Sequence, residues 1–283
     1  EESEAFAKLG PSTQKDYRWL ARLLSSHLVG GIPLGTLPAS AIRARHADRI
    51  YPELRAKHGD AAAHYACRFA RRVWKWGRRQ EHVGENPWAE MGLATPQARI
   101  QRWTWEQVEA FCTKAREMGW PSMALAVRLG YWTSLRQGDV LRLTWTALAA
   151  GVVRTSKTGA EVPVVTSAYP DLEAALAAAP RTAVQVLVCE TTGRPWLPDH
   201  FRHVFREVAA AAGLPPDLQF RDLRATALTE LSDGGADPIL ASTHSGHLTP
   251  QMQRRYARRT PEQFAEAAQR RLARRNARRN VGT

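Results

Sequence analysis

At 283 residues, 44% of them hydrophobic and ten of them tryptophan, the chain is long enough for two domains with apolar cores of their own. A formal net charge of +13, spread over both halves, points to a polyanionic partner and favours nucleic acid over a membrane surface. No apolar run approaches the length of about 18 residues that a bilayer requires, no signal-peptide pattern opens the chain, and Cys67, Cys112 and Cys189 lack metal-ligand spacing, so we expect a soluble, cytoplasmic protein with buried thiols and neither disulfide, metal nor small-molecule cofactor.

The first 90 residues predict an all-helical unit. "STQKDYRWLARLLSSHL" sets Tyr17, Leu20, Leu24 and Leu28 at three- and four-residue steps, the stripe of a helix packed on one face. After the turn "GGIPLGTLP", the segment "LPASAIRARHADRIYPEL" predicts a second helix. "GDAAAHYACRFARRVWKWGRRQ" predicts a third, with Tyr65, Phe69, Val73 and Trp76 on its packed side and Arg68, Arg72, Lys75 and Arg79 on a side free to meet phosphates. Gly84, Pro87, Gly92 and Pro96 then break the periodicity, and residues 91–102 are expected to form a linker.

A second unit, residues 103–283, opens at "TWEQVEAF", where Thr104 and Gln107 have capping-box spacing. Helices are predicted through "PSMALAVRLGYWTSL" and "GDVLRLTW". "GVVRT", "SKTGA" and "EVPVV" then predict a β-hairpin with a glycine-containing turn. Helices return in "YPDLEAALAAAP" and "LPDHFRHVFREVAAAAG", with "AVQVLVCE" between them as a strand or a buried run. The final stretch pairs Thr260 with Gln263 as a capping box, carries Phe264, Ala268 and Leu272 at four-residue steps, and ends in paired arginines. The fold class expected is mainly α with a small β-hairpin.

Four separated segments of the second unit offer phosphate-compatible side chains. "TSLRQGDVLRLTW" places Arg136 at a helix junction, with Gly138 for a sharp turn and Asp139 near enough to orient the guanidinium. "TSKTG" places Lys157 at a hairpin tip, and "FRDLRATAL" places Arg224 at a helix start. "GHLTPQMQRRY" supplies His247 and, nine residues on, Tyr256, with Thr249 and Pro250 as a helix start between them. Each residue alone has a plainer account: Arg136 as an ion-pair partner of Asp139, Lys157 as a solvated turn residue, His247 as a capping or packing histidine. Their order is what carries a signal.

That order resembles the tyrosine recombinase, or phage integrase, family, whose catalytic fold is shared with type IB topoisomerases. The resemblance covers almost the whole chain and implies a helical core-binding domain over residues 1–90, a linker over 91–102 and a catalytic domain from 103. It implies that Tyr256 attacks a DNA phosphodiester, expels a 5′-hydroxyl and leaves a 3′-phosphotyrosine, splitting strand exchange into two similar steps. By resemblance, Arg136 and Arg224 hold the nonbridging oxygens with paired donors, Lys157 protonates the departing oxygen and His247 donates to a phosphate oxygen. Double-stranded DNA target sites and a homo-tetramer assembled on paired DNA are the implied partners. One position departs from the family: Arg221 stands where the motif has histidine, and a guanidinium cannot accept a proton at neutral pH. It could instead lower the pKa of Tyr256, or hold phosphate while water takes the proton. His244 lies nearby but not at the motif position. A topoisomerase-like nicking and closing enzyme, or a DNA-binding accessory protein that has lost the reaction, are the alternative readings.

Overall fold

Capping residues and glycines set the limits of the elements in the computed structural model, which describes residues 3–94, 96, 99, 101–246, 265, 268 and 269. The Ser3 hydroxyl accepts from Phe6 N at 3.3 Å and starts α1 (Glu4–Ala7), and Pro11 in the first turn starts α2 (Pro11–Ser25). Leu20 and Leu24 are buried as the stripe predicts. Leu28 is not: α2 stops at Ser25, and Leu28 lies exposed in β1 (Leu28–Val29), antiparallel to β2 (Ile32–Pro33). Gly30 and Gly31, both at positive φ, make the two-residue turn between them, so the first unit is not all helical.

The second predicted helix begins later than expected. Residues 34–36 and 39–41 form single 3-10 turns, and α3 (Ala44–Arg79) starts where His46 Nδ1 accepts from Arg43 N at 3.0 Å. Gly59, at φ 83° and ψ 167°, breaks α3 where the sequence separates two helices. The buried face of its second half includes Ala63, Ala66, Cys67 and Ala70 beside His64, small residues for the most part that let α2 approach closely. Tyr65, Val73 and Trp76, expected to pack, are exposed; only Phe69 is partly buried, its ring 5.0 Å from that of Tyr17. Arg68, Arg72, Lys75 and Arg79 are exposed as expected.

Arg71 donates to the carbonyls of Trp88 and Met91 at 2.6 and 3.0 Å, which pins the chain after α3 onto it and buries Trp88 fully. Two compact units divide at Ala98 and Arg99: Met91 and Leu93 pack on the first core, while Arg99 and Gln101 bond within the second.

In the second unit the capping box forms as the spacing predicts. Thr104 Oγ1 accepts from Gln107 N at 3.3 Å and Gln107 Oε1 accepts from Thr104 N at 3.0 Å, at the head of α4 (Trp105–Glu117). Next comes α5 (Pro121–Thr133), buried on most sides, where Gly130 presses so closely on α10 (Asp222–Asp233) that a Cβ would lie 3.0 Å from Leu223 Cδ1 and 2.7 Å from Phe220 Cζ. Two short helices, α6 (Gln137–Val140) and α7 (Trp145–Ala150), replace the single one predicted. The hairpin forms, β3 (Val152–Arg154) antiparallel to β4 (Glu161–Pro163) with Val153 opposite Val162. Helices α8 (Pro170–Ala177) and α9 (Pro198–Ala211) follow. Between them Val186, Leu187 and Cys189 are buried, yet the stretch makes only isolated bridges, Thr144 with Gln185 and Val188 with Pro195, so it is a buried run. Helix α11 (Pro238–Ser245) begins at Asp237, whose carboxylate caps Ile239 N and Leu240 N at 2.7 and 2.9 Å.

The architecture is mainly helical with small antiparallel hairpins, the class expected. The second core gathers Phe111, Met123, Leu129, Leu143, Leu172 and Phe201 around α5. Among the described residues no helix is long and apolar enough to cross a membrane, and no group of three metal-ligating side chains converges. The expected helix start at Thr249 and Pro250, the capping box at Thr260 and Gln263, and Phe264 and Leu272 of the terminal stripe lie outside the described residues.

Candidate active site

The site is organised around Ser134, a residue that the sequence did not single out. It ends α5 in the left-handed conformation, φ 52° and ψ 13°, and is fully buried. A serine in that region is strained, so the surroundings must hold it there. The reversal turns its carbonyl towards α10, where it accepts from Arg224 Nη1 at 2.7 Å. Arg224 itself is buried, its charge carried into the first turn of α10.

Arg136 follows two residues later, at the N-cap of α6, and is half buried. Its Nη1 has no solvent-accessible surface and no hydrogen-bond partner among the described residues. Asp139 does not supply one. Its Oδ1 accepts instead from Ser156 N at 2.9 Å, Ser156 Oγ at 2.7 Å and Arg142 Nη2 at 3.3 Å. The expectation that Asp139 orients Arg136 is therefore corrected: this buried carboxylate fastens the hairpin turn, and with it the neighbouring Lys157, to α6. Nor does Gly138 make a sharp turn. It is helical, without positive φ, and the reversal falls at Ser134.

Lys157 is exposed in that turn. Arg221 is exposed at the N-cap of α10, with φ −62° and ψ −20°, and forms no ion pair among the described residues. Between the two arginines, Asp222 is buried and accepts from Arg99 Nε and Nη2 at 3.0 and 2.8 Å and from Gln219 N at 2.9 Å. Its carboxylate is thus occupied away from Arg221 and sets the first turn of α10.

His244 of α11 reaches into the same region. Its Nε2 lies 2.9 Å from the Tyr169 hydroxyl and its Nδ1 3.3 Å from Ser134 Oγ. Burial, aided by the nearby Arg224 charge, lowers its pKa against the opposing effect of a hydrogen bond with the Trp132 backbone. Burial pushes Tyr169 up. Both groups are therefore neutral at pH 7. Gly246 closes α11 at φ 65°, where a Cβ would lie 2.4 Å from Val162 Cγ2, so glycine is required by both conformation and space. It fixes the chain against β4 immediately before His247. His247 and Tyr256 lie outside the described residues.

Three of the six residues singled out from sequence are thus structurally connected: Arg224 and Arg136 through Ser134, and the Lys157 turn to α6 through Asp139. Arg224, held through Nη1 by the Ser134 carbonyl, and Arg136, whose buried Nη1 has no hydrogen-bond partner among the described residues, can together seat an anion with paired oxygens. Ser134, Tyr169 and the Arg99–Asp222 pair were missed. Each depends on a partner between 75 and 123 residues away, which no local spacing reveals.

The model of the phage integrase family matches residues 101–263. Among solved structures, the chain is similar to residues 75–356 of lambda integrase, described as a dimer bound to a COC′ core site, with TM-score 0.76 and 18% identity over 89% of this chain and 90% of that one. It is similar to a lambda integrase tetramer bound to a Holliday junction, at TM-score 0.75 and 18% identity over 91% and 76% of the two chains. Residues 82–397 of the Tn1549 transposon integrase, in complex with circular intermediate DNA, superpose at TM-score 0.73 and 16% identity over 92% and 94%. At these identities the structural likeness is one of fold. A comparison with curated protein sequences gave no match.

Proposed function

The chain belongs to the phage integrase family and is a tyrosine site-specific recombinase, and from that premise we propose that it breaks and rejoins duplex DNA through a 3′-phosphotyrosine on Tyr256. The tyrosine oxygen attacks phosphorus, the bond to the 5′ oxygen breaks, and Lys157 supplies the proton that the departing oxygen takes up. Arg136 and Arg224 bind the two nonbridging oxygens, and His247 donates to one of them as charge builds. Arg221, in the place of the motif histidine, cannot take the tyrosine proton. It holds phosphate or depresses the pKa of Tyr256 while water accepts the proton. Rejoining reverses these steps with a different 5′-hydroxyl.

The observation that carries this reading is the buried, unpartnered Nη1 of Arg136 beside an Arg224 held from behind by the Ser134 carbonyl. A buried guanidinium nitrogen without a partner calls for one, and a phosphate oxygen supplies it. Residues 1–90 and 103–283 would both grip the duplex, the exposed Arg68, Arg72, Lys75 and Arg79 meeting phosphates from the first unit. We further propose a cytoplasmic protein that assembles as a homo-tetramer on paired DNA sites, with the terminal helix linking subunits head to tail.

The test uses a nicked duplex carrying a site selected by binding, incubated with the protein and resolved by denaturing electrophoresis. A covalent protein–DNA adduct and recombinant junctions support the proposal. An adduct with nick closure alone indicates a topoisomerase-like enzyme, and binding without any adduct indicates an accessory protein; either overturns it.

A further inference from the structure

Three side chains that the proposed reaction does not use meet behind Arg224. Ser134 contributes its carbonyl to Arg224 Nη1 at 2.7 Å, while its Oγ lies 3.3 Å from both Nδ1 and the carbonyl oxygen of His244. On the far side of the imidazole, Nε2 is 2.9 Å from the Tyr169 hydroxyl. The Tyr169 ring in turn stacks on Trp132, centroids 4.6 Å apart and planes 23° from parallel. Trp132 and Ser134 flank the end of α5, Tyr169 precedes α8, and His244 belongs to α11.

The proton assignment that suits these partners puts the Tyr169 proton on the bond to Nε2 and a proton on Nδ1, the ring N–H that is then left to face Ser134 Oγ and the Trp132 backbone. Ser134 Oγ then accepts from Nδ1 and donates to the His244 carbonyl. A neutral imidazole suits this arrangement, since a protonated one would present a donor to the tyrosine and a second positive charge to Arg224. Ser134 needs such a brace. Its left-handed backbone is unfavourable for a residue with a side chain, and it is that backbone conformation which aims the carbonyl at Arg224. The same contacts fasten α11, three residues before His247, to the junction from which Arg136 also departs.

We propose that His244 and Tyr169 are a positioning pair for strand cleavage, holding Ser134 in its left-handed conformation so that Arg224, Arg136 and the end of α11 keep a fixed relation to one another. Neither residue is assigned a contact with the phosphate or the reacting atoms. The inference rests on the reading of Arg224 as a phosphate-binding residue.

Single-turnover cleavage of the nicked duplex at saturating protein, with affinity for the same DNA and thermal stability measured alongside, tests it. Tyr169→Phe keeps the stack on Trp132 and loses one buried hydrogen bond, so cleavage should slow about tenfold while affinity is unchanged. His244→Leu should slow it further. His244→Asn, whose amide can serve the Nδ1 side, should recover part of the loss. Because both residues act through one contact, the double variant Tyr169→Phe/His244→Leu should be no slower than His244→Leu alone. Parental cleavage by Tyr169→Phe, multiplicative effects, or a loss confined to affinity or to the folded fraction would each overturn the pair. Arg224→Lys, run in parallel, separates the two levels. If that variant is inactive and Tyr169→Phe is normal, only the pair fails. If Arg224→Lys cleaves normally, the reading of Arg224 fails and takes the pair with it.

Discussion

Replacing Arg136 with methionine should stabilise the free protein while abolishing cleavage. The guanidinium Nη1 is shielded from solvent and has no partner among the described residues. A buried donor left unmade costs about 1–3 kcal/mol, and more when charged. Methionine matches the length of the arginine stem, keeps its packing and removes the orphaned donor. The residue as a whole is only partly buried and gives up some hydration in the exchange, so the lower part of the range applies, about 1–2 kcal/mol in favour of the variant. For a unit of the size of Arg99–Thr283 this corresponds to a rise in Tm of about 2–8 °C. Calorimetry of the full chain measures it, and site DNA added to saturation should raise the Tm of the parent by more than that of the variant. A Tm that falls, or a variant that still forms the covalent adduct, would refute the argument that this nitrogen waits for a phosphate oxygen.

Three further outcomes follow from other contacts. Arg221→His restores the family motif and a group able to accept a proton, so cleavage should accelerate, most visibly below the pKa of the tyrosine; unchanged or lower rates across pH would give arginine a productive role of its own. Arg99→Ala leaves Asp222 buried with, among the described residues, only the Gln219 amide as a donor, which should cost about 2–3 kcal/mol in a urea titration, below the full penalty for breaking a buried pair because Arg99 is partly exposed; a loss under half a kilocalorie would place that carboxylate in water. His244 has a folded-state pKa below its unfolded value, so the unfolded chain binds the proton first. The stability it contributes is complete above the ordinary histidine range and is lost as pH falls through that range to the lowered folded value. The Tm of the parent should therefore drop more steeply than that of His244→Asn on acidification below neutrality, and parallel curves would show that His244 does not titrate with folding.

What could be read from the chain was whatever neighbours decide. The Thr104–Gln107 capping box, the Gly59 break and the hairpin around Gly159 depend on residues within a few positions of one another, and each forms where the spacing places it. The arginines of the candidate site were found because the order of separated motifs is itself a sequence property. Periodicity, by contrast, states which residues share a helix face but not which face docks. Tyr65, Val73 and Trp76 share one, yet α3 packs through its alanines. Composition is equally silent on backbone strain: nothing about Ser134 or its neighbours foretells a left-handed residue, whose side-chain partner is a histidine 110 positions away. Spacing pairs the carboxylate of Asp139 with Arg136, three residues before it, whereas the fold offers it the amide and hydroxyl of Ser156 at the hairpin turn and Arg142, three residues after it.

The central claim is that Tyr256 becomes joined to a DNA 3′-phosphate. The adduct trapped on the nicked duplex can be digested with protease and nuclease, and the peptide that carries the nucleotide identified by mass spectrometry, in the parent and in Tyr256→Phe. The account predicts a nucleotide linked through its 3′-phosphate to Tyr256 and no adduct from the phenylalanine variant, which should still bind the duplex with parental affinity. A 5′ linkage, a different modified residue, or an adduct that survives Tyr256→Phe would contradict it.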